Sequence, residues 1–145
     1  MEPVADQVAA APPRVVAFEV LGAPVPCARA RVVRARGRAH AYTPARTAEF
    51  EQLVRLVAMT AVRRVEGWRT DAPGYRFELV VYRAARRGDW DNFAKAVADA
   101  LQGVVFDDDR AIVEAHVRLE LDRVRPRVAV RIEILDAPVA ARRAR

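Results

Sequence analysis

The sequence predicts an α/β chain of the α+β type: a small mixed, largely antiparallel sheet with two main helices in a single domain. Three observations predict it. Four runs alternate apolar and polar residues with the period of a half-buried strand. Two longer runs repeat their apolar residues at helical spacing. Glycine, proline and aspartate clusters punctuate the runs. At 145 residues with 52% hydrophobic content, the chain is long enough for one core and too short for two. We divide it into a disordered N-terminal tail (1–13), a folded domain (14–136) and a basic C-terminal tail (137–145).

The first strand is read at Arg14 to Gly22, where Val16, Phe18 and Val20 alternate with Ala17 and Glu19. Pro24 and Pro26 exclude a central strand after it. Ala28 to Pro44 places Arg29, Arg31, Arg34, Arg36 and Arg38 among small residues, with Gly37 at a turn. This reads as a mobile hairpin or loop able to lie along a phosphate backbone. A helix follows from Ala48 to Gly67, with Thr43 or Thr47 as its cap and Pro44 at a first helical position. Tyr75 to Ala84 is a strand, with Phe77, Leu79 and Val81 on one face. Gly103 to Phe106 reads as a short extended run and Asp107 to Ala111 as a turn. Ile112 to Asp122 and Arg125 to Leu135 are two alternating strands, which Arg123 to Pro126 can join as a hairpin.

Between these elements lies the stretch around which the chain is organised, Arg86 to Ile112. It holds six acids: Asp89, Asp91, Asp99, Asp107, Asp108 and Asp109. A short amphipathic helix runs from Asp91 to Gly103. Asp89 or Asp91 can cap it, alanines favour it, and Gly103 ends it. Phe93, Val97 and Leu101 share one face; Asn92, Lys95, Asp99 and Gln102 share the other. Asp91 and Lys95, four apart, are neighbours on the helix surface. Lys95 is the one lysine among 25 Lys and Arg residues. A compact ammonium inside the acidic cluster suits a scissile phosphate or a nucleophilic water better than a guanidinium fork.

Asp-x-Asp at a strand-to-helix junction, with Asp109 returning in the next loop, brings like charges together. A divalent cation relieves their repulsion, and all-oxygen ligation suits Mg²⁺ or Mn²⁺. The net charge of +6 favours a polyanionic partner. Basic residues to hold a backbone around acids that hold an ion are what phosphodiester hydrolysis needs. Other chemistries are excluded. An EF-hand counted from Asp89 would need glycine where Ala94 stands. An aspartyl-phosphate site would need its Asp-x-Asp directly after an apolar strand, where Ala-Ala-Arg-Arg-Gly intervenes. There is no serine nucleophile, and Cys27, His40 and His116 lack zinc spacing. One cysteine excludes an internal disulfide framework and fits a cytoplasmic location. The acidic, Ala/Pro-rich opening is no signal peptide, and no stretch approaches the ~20 apolar residues of a membrane span.

The chain resembles the RusA-type Holliday junction resolvases of bacteria, prophages and phages from about Val15 to Leu135. The residues that carry the resemblance are D-x-D-N-x-x-K-x-x-x-D-A-L at Asp89 to Leu101 and G-V-V-F-D-D-D at Gly103 to Asp109. F-x-V-x-G-x-P-V-P at Phe18 to Pro26, R-x-R at Arg29 and Arg31, and Y-T-P at Tyr42 to Pro44 add to it. The resemblance implies a homodimer that binds four-way DNA junctions and cuts two strands symmetrically with Mg²⁺, for which Mn²⁺ can substitute. It implies Asp89, Asp91 and Asp109 as metal ligands and Lys95 as the essential lysine; Asp108 and Asp99 match further acidic positions, and Asp108 is counted with the metal residues. Arg29, Arg31, Arg34, Arg36, Arg86 and Arg87 are the expected DNA contacts. Gly88 stands where some members have a basic residue, for which Arg86 or Arg87 can substitute, and Cys27-Ala28 replaces a Lys-Gly pair common in the opening loop. A junction-binding protein without turnover and a metal nuclease for other branched nucleic acids are the rival readings.

Overall fold

The computed structural model describes residues 14–27, 31–35, 38–42 and 45–136. Both predicted tails, as well as Arg29, Arg36, Thr43 and Pro44, lie outside the described residues. Six strands and two helices follow in the order β1 (Val15–Leu21), β2 (Arg31–Ala35), β3 (Arg38–Tyr42), α1 (Ala45–Arg63), β4 (Gly74–Arg83), α2 (Trp90–Leu101), β5 (Ile112–Leu121) and β6 (Arg127–Leu135). A one-turn 3₁₀ helix, Asp109–Ala111, precedes β5.

Strands β1, β6, β4 and β5 form one mixed sheet in that order; β2 and β3 form a separate antiparallel hairpin. The predicted hairpin of the last two strands is not formed. β5 runs parallel to β4, and β6 lies antiparallel on the other side of β4. A parallel pair needs a crossover rather than a tight turn, and α2 with the loops around it supplies one. The chain then crosses to the far side of β4 through Asp122–Pro126, a turn held by Asp122 Oδ1, which accepts from the backbone N–H of Val124 (3.1 Å) and Arg125 (2.9 Å).

The alternation predicted for the strands sorts them into two faces. Val16, Ile132 and Phe77 stand in register across β1, β6 and β4, as do Val20, Val128 and Val81. All six are buried, in one cluster with Phe50, Val54 and Ala58 of α1 and Phe93, Val97 and Leu101 of α2. The other face carries ion pairs: Arg76 with Glu114 and Glu133, and Arg131 with Glu78 and Glu133. Arg127 pairs there with Glu19 and Asp122 and lies 3.7 Å over the Tyr82 ring.

Two local expectations are corrected. Thr47 does not cap α1. It is the third residue of the helix and is buried, in phase with Phe50, Val54 and Ala58. Gly103 to Phe106 is a turn, not an extended run: the Gly103 N–H donates to the Phe106 carbonyl at 2.7 Å, while Val105 and Phe106 are fully buried. The Trp68 indole N–H donates to the Val105 carbonyl (2.9 Å), and the Asp107 N–H donates to Thr70 (2.9 Å). Phe106 packs on Tyr75, ring centroids 5.6 Å apart. The turn is thereby fastened to the segment that enters β4, and the three aspartates that follow start from a fixed point.

Candidate metal and nucleic-acid site

The site is assembled by β4, α2 and the loops at each end of α2. β4 ends at Arg83, and the chain passes through an exposed loop, Ala84–Gly88, to the helix. Gly88 has φ +88°, and a Cβ there would stand 2.7 Å from the Phe93 ring. A side chain there would be strained by the left-handed backbone and would force the Phe93 ring to shift, so glycine suits the position. Arg86 and Arg87, both exposed, are cations of this loop.

Asp89 occupies the N-cap of α2, but its side chain makes no capping hydrogen bond. Its backbone carbonyl accepts from Asn92 (3.1 Å) and Phe93 (3.2 Å), starting the helix. Among the described residues, Asp91 Oδ1 accepts only from the neighbouring Asn92 N–H, at 3.0 Å. The expected side-chain cap is thus absent, and both carboxylates remain at the solvent-facing helix N-terminus, whose partial positive charge favours anions. Asn92 has a different anchor: its carbonyl accepts from the Cys27 N–H at 2.9 Å, tying the proline-rich loop after β1 to the start of α2.

Lys95 lies one turn beyond Asp91, exposed. Its ion pair is with Asp99, at 3.3 Å, rather than with Asp91. Attraction to Asp99 raises its pKa above the ordinary lysine value, with smaller contributions from Cys27 and Asp109. Lys95 and Asp109 line one open cleft of about 390 Å³ between α2 and the start of β5, floored by Phe77, Ala94, Ala98 and Ala115. The adjacent Asp108 is occupied differently. It caps the 3₁₀ helix, accepting from the Arg110 N–H at 2.9 Å, and pairs with the Arg110 guanidinium at 3.2 Å. Those bonds to Arg110 hold its pKa below the ordinary aspartate value.

The structure therefore sets Asp89 and Asp91 at the head of α2, Lys95 one turn along, and Asp109 across the cleft from Lys95. Among the described residues, the three potential ligand atoms lying within 4.8 Å of one another belong to a different set: Cys27, Glu51 and Asp99. This set sits behind Lys95. Burial, then the Asp99 charge, push the Glu51 carboxyl above the usual glutamate range; the same causes raise the Cys27 thiol, with Glu51 adding. Glu51 has no spacing signal in the sequence, because α1 meets α2 only in the folded chain. A pH effect follows. An acid whose pKa is raised on folding costs stability once it ionises, so Glu51→Gln should raise the melting temperature at pH 7 by about 2 °C. The gain should shrink once the pH falls below the raised Glu51 pKa and vanish below the ordinary glutamate pKa of about 4.3, where the carboxyl is neutral in folded and unfolded chain alike. Thermal unfolding between pH 4 and pH 8 measures it.

Of the expected DNA contacts, Arg31 and Arg34 lie on β2 of the hairpin; Arg86 and Arg87 are exposed in the loop before Asp89. His116 bonds Glu114 at 2.9 Å on the outer sheet face. The model of the endodeoxyribonuclease RusA family matches residues 22–133. The chain belongs to this family. The matched residues begin just after β1 and end within β6, so they span Asp89, Asp91, Lys95, Asp108 and Asp109. No curated protein matches the chain. The family is one of Holliday junction resolvase nucleases, and in this member the single lysine, Lys95, and Asp109 line one open cleft. Among the described residues, no helix is long and apolar enough to cross a membrane.

Proposed function

We propose that the chain is a metal-dependent endonuclease that resolves four-way DNA junctions, acting in recombination and repair as a cytoplasmic homodimer. The observation that carries this reading is the pairing of Lys95 and Asp109 in one solvent-open cleft, with Asp91 a single turn away and Asp89 at the helix cap. The donor set fits a hard divalent cation. Asp89, Asp91 and Asp109 offer only oxygen, the Asp89 and Asp91 carboxylates have little protein to bind, and Mg²⁺ or Mn²⁺ takes such ligands. Asp108 is a weaker ligand, since Arg110 competes for both its oxygens.

When bound, the ion would polarise the scissile phosphate and lower the pKa of a coordinated water. The chain's own residues do the rest. Asp99 keeps the Lys95 ammonium protonated and directed, so that it stands ready to neutralise charge developing on the phosphate. Arg86 and Arg87 hold the backbone beside the site without reading sequence. Trp90, 59% exposed between the two acids, offers a ring on which a displaced base can stack. Two copies related by a twofold axis would present two such clefts to the symmetric strands of a junction.

Lys95→Arg tests the role of the ammonium. The guanidinium can keep the Asp99 ion pair but is planar and longer. Single-turnover cleavage of a junction should fall by about 10²-fold, the usual cost of losing one well-placed donor, while junction binding in EDTA stays unchanged. Full activity in Lys95→Arg would remove the ammonium from the mechanism. Cleavage that persists in EDTA would remove the metal.

A further inference from the structure

Resting on the reading of Asp89 as a metal ligand, we infer that Arg83 is a positioning residue that fixes Asp89 by folding the loop before it around its guanidinium. Arg83 is the last residue of β4. Its Nη1 donates to the carbonyls of Arg87 (3.1 Å) and Gly88 (2.7 Å), the two peptides that lead into Asp89. Its own backbone carbonyl accepts from Asp122 N–H at 2.9 Å, so the residue is anchored in the sheet while its side chain reaches the site. Its Nε is buried and has no hydrogen-bond partner among the described residues.

That arrangement costs something. An unpaired buried donor is unfavourable, and an arginine that served only as surface charge would turn to water. Here the side chain stays under the loop and converts a free turn into a closed one. The other side of the loop is blocked by the Phe93 ring against Gly88. Clamped from both sides, the Gly88–Asp89 peptide is held in place, and with it the backbone from which the Asp89 carboxylate projects. A ligand held ready does not pay its ordering entropy when the cation arrives, so the effect of Arg83 belongs in metal affinity rather than in DNA affinity.

The test is the full chain carrying Arg83→Gln or Arg83→Lys, assayed with a synthetic four-way junction across a Mn²⁺ series. Glutamine removes the fork and the charge; lysine keeps the charge and loses the fork. For Arg83→Gln, half-maximal cleavage should need about tenfold more Mn²⁺, the usual cost of losing a group that orients a ligand. Activity should recover at saturating Mn²⁺, and junction affinity in EDTA should be unchanged. Metal-free hydrogen exchange at residues 84–89 should accelerate. Arg83→Lys should fall between the two and substitutes for Arg83→Gln if the glutamine variant fails to fold. An unchanged Mn²⁺ requirement, or an equal loss at every Mn²⁺ concentration, overturns the inference. Asp89→Asn run in parallel separates the two levels. Cleavage that survives Asp89→Asn defeats the ligand reading itself. Loss there with unmoved Arg83 variants defeats only the positioning role.

Discussion

Asp91→Asn should abolish cleavage of a four-way junction in Mg²⁺, lowering the rate by about 10³-fold or more, because removing an anionic ligand disables the group that stabilises the reacting phosphate. The substitution keeps the shape of the side chain and removes its charge. Asp91 is exposed in the first turn of α2 and, among the described residues, accepts a bond only from its neighbour Asn92. The helix-dipole contribution lost with the charge is about 0.3–1 kcal/mol, too little to unfold the domain. Loss of activity would therefore report on chemistry. The check is single-turnover cleavage alongside a thermal melt and a gel-shift titration in EDTA. The melt should move little, and junction binding should persist or strengthen as a negative charge leaves the DNA face. Full cleavage by Asp91→Asn would exclude Asp91 from the site.

Phe106→Ala should have the largest effect on stability, about 3–5 kcal/mol for deleting a buried aromatic side chain. Set against a total of about 5–15 kcal/mol for a typical domain, that is a large share. Phe106 is fully buried, packs on the Tyr75 ring and closes the turn from Gly103. The next residue begins the Asp107–Asp109 run. The cavity would therefore loosen the point from which Asp109 is aimed, as well as the core. Denaturant unfolding should show the midpoint displaced strongly with the slope nearly unchanged. Cleavage should fall further than the unfolded fraction explains. A change of under about 1 kcal/mol, the scale of a surface substitution, would show that the turn does not depend on this ring.

The sequence made the elements legible and left their neighbours illegible. Alternation in β4, β5 and β6 states which face of each strand is buried. It carries no information on whether β5 lies beside β6 or β4, since the same pattern satisfies both. The short polar link Arg123–Pro126 invited a hairpin; the parallel pairing of β4 with β5 sent it across β4 instead. Thr47 shows the converse. Its phase with Phe50 and Val54 was readable, and preference for threonine as a cap obscured it.

The same division holds at the site. Asp89, Asp91 and Lys95 are close in sequence, so helical spacing sufficed to group them. Asp109 needed the return of the chain past α2, and its place opposite Lys95 is a tertiary fact. Glu51 and Cys27 come from α1 and the proline-rich loop, and nothing local marks them. Lys95 could be paired by spacing with Asp91 or with Asp99, both four residues away. The folded chain pairs it with Asp99 at 3.3 Å, a choice that spacing alone does not make.

The most direct measurement is cleavage of an end-labelled synthetic four-way junction beside a linear duplex of matched sequence, each with Mg²⁺ and with EDTA. The account predicts paired, symmetric nicks in the junction alone, in Mg²⁺ alone. A junction bound but uncut in Mg²⁺, or a duplex cut as readily as the junction, would contradict it.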